Sequence, residues 1–172
     1  MSRSAEVALD RLAARYAEHL RLAQLSSSGG GRHVPRPEQT RQANAVVDMV
    51  AIAEAFSIDR LLAGWPSTPP GSTGTWKKRE NAWRDVGAHL TALTSWVALM
   101  GYVEVRNALQ HGLGRLTDQQ LGWRDQTLSR IAASGVDVNG DRVTVTDADV
   151  HRCYRTCRRF VLQADDAAFR AI

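Results

Sequence analysis

The sequence is short of the residues that mark several protein classes, and each shortage narrows what the chain can be. Its two cysteines, Cys153 and Cys157, are too few for a disulfide framework. Their spacing of four puts them on one helical face, where they read as small buried apolar side chains rather than metal ligands. Long apolar runs are missing, since nothing approaches the roughly 20 residues that a membrane-spanning helix needs. The first residues lack the apolar core of a signal peptide, so a soluble, cytoplasmic protein without membrane association is expected. There is no G-x-x-x-x-G-K-S/T phosphate loop, no C-x-x-C and no H-E-x-x-H. The scattered Asp and Glu residues show no ligand spacing, and neither a metal nor a cofactor is expected.

What remains is a chain of 172 residues with a formal charge of +4, long enough for one domain with a real core. Its mildly basic surface permits an RNA partner without demanding one. Apolar periodicity predicts helices over 4–25, 38–63, 76–89, 96–111, 118–134 and 147–170. The run Ser26–Gly31 and the proline pair at 35 and 37 predict a flexible connection over 26–37, in which His33 is solvated, and Trp65–Gly74 predicts another over 65–75. Thr75, Ser95, Thr117 and Thr146 are placed to cap the helices that follow them, with Gln120 completing a capping box. Asn139-Gly140 between alternating β-branched residues predicts a small hairpin near 136–145.

The chemistry concentrates in Val103–Gly112. With Arg106 set at zero and about 100° per residue, Gln110 falls near 40°, Asn107 near 100° and His111 near 140°. Val105, Leu109, Ala98 and Tyr102 lie on the other side, so one sector faces a core and the other presents a cation, an amide and an imidazole. Gly112 is expected to stop the helix in the left-handed conformation, leaving His111 in the last turn, where the helix dipole favours an imidazolium. Two sets of basic residues are further candidates for sequence-independent phosphate contacts. Arg152, Arg155, Arg158 and Arg159 lie on the outer face of the last helix, and Lys77 and Lys78 on the third, whose outer side also carries Arg79 and Arg84.

Arg106-Asn107-x-x-x-His111-Gly112 resembles the R-N-x-x-x-H motif of HEPN domains, and Gly114-Arg115-Leu116-Thr117 is similar to the RNase LS/RloC-like group within them. The resemblance covers the chain from about Glu38 onward. It implies an all-α, HEPN-like up-and-down bundle of five to six helices, decorated here by the hairpin. Many such domains are metal-independent endoribonucleases acting as toxins or anti-phage effectors, and they dimerise so that two motifs meet in one cleft.

The resemblance therefore implies Arg106, Asn107 and His111 as catalytic residues, a symmetric homodimer, RNA as substrate, and a neutralising antitoxin or regulatory protein as a further partner. His111 would move a proton, Arg106 would face the phosphate oxygens, and Asn107 would orient His111 or hold the phosphate. Some family members carry a Tyr two residues after the His and are silenced by AMP transfer onto it. Position 113 is Leu, so that regulation is not supported. The competing expectation is a non-catalytic HEPN module for dimerisation, RNA binding or protein interaction.

Overall fold

Each strongly periodic stretch becomes a helix in the computed structural model, which describes residues 1–28, 35–69 and 71–171. Among these are seven α-helices: α1 (Arg3–Ser28), α2 (Pro35–Gly64), α3 (Trp76–Asp85), α4 (Trp96–His111), α5 (Asp118–Gly122), α6 (Arg124–Ser134) and α7 (Asp147–Ala171). A two-stranded antiparallel hairpin, β1 (Asp137–Asn139) and β2 (Arg142–Thr144), precedes α7. The fold is all-α with one small hairpin. His33 lies outside the described residues.

The helices α1, α2 and α7 pack on one another, α2 and α7 also contact α4, and α6 lies along α4. The line expected on α7 is buried at Val150, Cys153, Cys157, Phe160, Val161 and Ala164. It meets Val46, Met49, Val50, Ala53 and Phe56 of α2 and Leu99, Tyr102 and Val105 of α4 in one apolar cluster. The Cys153 and Cys157 sulfurs lie 3.9 Å apart. Burial pushes the Cys153 thiol well above its ordinary range, which keeps it protonated and unreactive. On α1 the buried stripe is Ala5, Ala8, Leu12 and His19, whereas Val7 and Leu20 are exposed.

Side-chain caps start α3, α5 and α7. Thr75 accepts from the Lys78 amide, and Thr117 and Gln120 form the reciprocal capping box. Thr146 and Asp149 exchange equivalent bonds at the start of α7. Ser95 does not cap α4; its hydroxyl donates to Gln163 Oε1 at 2.7 Å instead. The third helix ends at Asp85, four residues earlier than expected, because Gly87 takes a left-handed φ of 86°. A short 3-10 turn over Leu90–Ala92 then leads into α4. The helix expected over 118–134 is two helices that break at Trp123, whose φ and ψ of −124° and 41° are not helical. Of the segment expected as a loop, residues 65–69 and 71–75 carry local turns, and Trp65 lies edge-on to Trp83 with centroids 6.4 Å apart.

A close crossing fixes α6 against α4. A Cβ added to Gly101 would lie 2.4 Å from the Arg130 carbonyl oxygen and 3.0 Å from Ser134. Gly101→Ala should therefore push the helices apart and cost about 1–3 kcal/mol, as overpacking does, measurable as a lower urea midpoint with an unchanged slope.

Two polar clusters tie the helices together and set an acid limit on stability. His19 Nε2 lies 3.0 Å from Asp147 Oδ1, and Arg41 donates to the same carboxylate. Burial, followed by the Arg41 charge, holds His19 below its ordinary 6.5 despite Asp147. At Asp165, Arg60 Nε donates to one carboxylate oxygen at 2.8 Å and the Ser2 amide to the other at 2.9 Å. Burial raises Asp147 and Asp165, but hydrogen bonds and the neighbouring cations outweigh it and hold both below 3.8.

The unfolded chain thus takes up protons that the folded chain resists. The His19 contribution is present above pH 6.5 and shrinks as pH falls below it; the aspartate contributions are lost below about pH 4. A urea series should show a stability decline beginning near pH 6.5, and His19→Gln should remove that upper step while keeping the lower one.

Candidate functional site

The C-terminal end of α4 is built from its own backbone outward. The Ala108 carbonyl accepts from both the Gly112 and Gly114 amides at 3.0 Å. Gly112 itself is not left-handed, with φ −102°; Leu113 takes that conformation, at φ 52°. Gly112 is needed for proximity instead, since a Cβ there would lie 1.9 Å from the Arg115 carbonyl oxygen.

The hairpin then clamps the chain leaving this turn. Leu116 N donates to Asp141 O at 2.7 Å and Val143 N to Gly114 O at 2.9 Å, so segment 114–116 lies along β2 like a third edge. Only Gly140 of the hairpin has a positive φ, and Asn139 pairs with Arg142. The turn is therefore Gly140-Asp141, with glycine first as in type II′.

His111 and Asn107 open into a cleft of about 810 Å³ between α4, the turn and α5–α6, lined also by Glu104, Arg115, Gln120, Trp123 and Arg130. His111 is exposed and Asn107 half-buried; among the described residues no hydrogen bond joins them. Glu104 organises the opposite wall. The buried Gln120 donates through Nε2 to the Glu104 carboxylate and carbonyl, both at 2.9 Å, and Arg130 donates to the other carboxylate oxygen at 2.9 Å. Arg115 is paired with Asp141 at 3.0 Å, and Arg124 donates to the Gly140 carbonyl. The cleft therefore has an imidazole, an amide and two oriented guanidiniums.

Arg106 is not in this cleft. It points toward α2, where its Nη2 lies 3.1 Å from Glu54 Oε2 and its side chain is 17% exposed. Glu54 also accepts from Arg79 of α3. Arg79, expected on the basic outer face, is buried, with its guanidinium 4.2 Å above the Trp76 ring. Trp76 offers a face that spares the cation part of its desolvation cost.

The outlying basic candidates are separate again. Arg152, Arg155 and Arg159 line a groove with Ser95 and Ala98 at the opposite end of α4. The 13 residues from Ala98 to His111 put about 20 Å between the two along the axis. Arg155, Arg158 and Arg159 are exposed and form no ion pair among the described residues, whereas Arg152 is engaged by Asp149 and the Gly135 carbonyl. His151 bonds to the Tyr16 hydroxyl at 2.7 Å. Lys77 pairs with Glu80 and borders a groove shared with Arg130. Lys78 lies in another groove beside Trp65.

The sequence pattern missed Glu104, which shares the α4 face of Asn107 and His111, and Gln120, Trp123 and Arg130, which reach the cleft only because α5 and α6 fold back against α4. No known family pattern, curated protein or solved structure matches the chain. No described helix is long and apolar enough to cross a membrane.

Proposed function

We propose that the chain is a metal-independent endoribonuclease of HEPN type, working as a homodimer in growth arrest or phage defence. The observation that carries this reading is the cleft at the end of α4, where an exposed imidazole and an amide face two guanidiniums held by carboxylates. These groups match the needs of RNA transesterification. The 2′-oxygen bonds to the adjacent phosphorus as its proton passes to a base, and the bond to the 5′-oxygen breaks as that oxygen takes a proton. Guanidiniums neutralise the charge that builds on the non-bridging oxygens. The products are a 2′,3′-cyclic phosphate and a 5′-hydroxyl.

His111 serves one proton transfer, and a second copy across a two-fold axis supplies the other. Arg115 and Arg130 bind phosphate on the His111 side. Arg106 faces away within one protomer and contributes across the dimer, its guanidinium oriented by Glu54. Lys77, Lys78 and the α7 arginines (Arg152, Arg155, Arg158 and Arg159) contact backbone phosphates farther along the strand. A neutralising or regulatory protein completes the system.

The separation of Arg106 from His111 on α4 favours a second reading, a non-catalytic HEPN module that binds RNA or a protein partner. Incubation of purified protein with RNA in EDTA, followed by end-group analysis, decides between them. Cleavage with cyclic-phosphate ends is expected. RNA binding without any cleavage by a confirmed dimer would assign the chain to the second reading.

A further inference from the structure

Trp123 breaks two local rules at once. It stands at the start of α6, where Ser, Thr, Asp or Asn would bond to the exposed amides, and it makes no side-chain cap bond. Its side chain gains no burial in exchange: the residue is 70% exposed, whereas Trp76, Trp83 and Trp96 are at most 9% exposed. A residue that lowers local stability without packing in return is a mark of function.

Its surroundings indicate what the ring is for. Trp123 lines the same cleft as Asn107, His111, Arg115 and Arg130, together with the carboxylates of Glu104 and Asp118. Glu104 is engaged by Gln120 and Arg130, so the indole stands mainly among amide and guanidinium donors. That mixture suits a flat ligand with hydrogen-bonding edges and an attached anion better than an apolar protein surface. The Trp123 carbonyl accepts from the Thr127 amide and its amide donates to the Gln120 carbonyl, so the backbone beneath the ring is anchored at both sides.

We propose that Trp123 is a stacking platform for an unpaired base of single-stranded RNA next to the phosphate held in the His111 cleft. This rests on the RNA reading above and makes Trp123 a binding residue of the same site. Stacking accepts any base, so Trp123 selects single strands over duplexes rather than one sequence over another.

The test uses the full chain and a short 2′-O-methyl oligonucleotide, which lacks the attacking hydroxyl, beside its abasic counterpart. Wild type should bind the base-bearing strand about 10-fold or more tightly than the abasic one, with quenching of indole emission. Trp123→Phe should keep most of that preference and lose most of the quenching. Trp123→Ser should lose the preference while binding the abasic strand as wild type does, and should unfold at the same or a higher temperature because serine is the better cap. Full base preference in Trp123→Ser overturns the platform and leaves the RNA reading standing. Dissociation of a dimer by Trp123→Ser with base preference intact assigns the ring to a protein interface and also overturns it. Failure of wild type to bind either strand overturns the RNA reading and the platform together.

Discussion

His111→Ala is expected to lower RNA cleavage in EDTA by about 10²- to 10⁴-fold, the usual contribution of a positioned proton-transfer group, while leaving the fold untouched. His111 is exposed in the last turn of α4, and among the described residues its side chain has no hydrogen-bond partner. Its loss should change unfolding free energy by no more than about 0.5 kcal/mol. That combination separates a catalytic role from a structural one in a way Arg106→Ala cannot, because Arg106 is also one of two cations on Glu54. Arg106→Ala should lower cleavage and stability together, and Asn107→Ala should give a smaller loss of cleavage without destabilisation. Initial rates on a single-stranded RNA, read beside circular dichroism melts, check all three. Wild-type cleavage by a folded His111→Ala would remove His111 from the mechanism.

The residues of this argument were legible in the sequence to very different degrees. Helical spacing alone separates Arg106 from His111 by about 140°, and the structure sends them to different surroundings. The capping box at Thr117 and the cap at Thr146 were legible because each is settled within four residues. Arg79 was not, because its burial depends on Glu54 and Ser57 of α2 as well as on the Trp76 ring three residues before it, and a single helical wheel brings only the last of these to it. The break at Trp123 was illegible for a related reason. Gly122 weakens the helix only slightly, and the decision is made by Thr127 Oγ1 donating to the Gln120 carbonyl while Gln120 is held by Glu104 of α4. Gly112 shows the same limit. Its place after the last turn was foreseeable, but its need for a missing Cβ follows from the return of Arg115 toward it.

Glu54→Gln is expected to cost about 1–3 kcal/mol, less than the loss of one partner from a fully buried ion pair, because the Glu54 side chain is itself 24% exposed. The carboxylate is the meeting point of Arg79, whose side chain is 1% exposed, and Arg106, at 17%. Both arginines already have a buried Nε without a partner among the described residues, and beside Glu54 the Arg79 guanidinium has the Ser57 hydroxyl as acceptor. Glutamine keeps the shape and loses the charge, leaving two cations facing one neutral amide. Arg79→Met should cost less, because Glu54 then remains paired one-to-one with Arg106 and the thioether can still cover Trp76. The double variant should be more stable than Glu54→Gln alone, since it removes one of the two stranded cations. Denaturant unfolding of the four proteins measures that coupling directly. If the RNA reading holds, Glu54→Gln also releases Arg106 and should lower cleavage at temperatures where the variant is still folded. A cost near zero for Glu54→Gln would mean that both guanidiniums reach water in solution, and the carboxylate would then have no role in orienting Arg106.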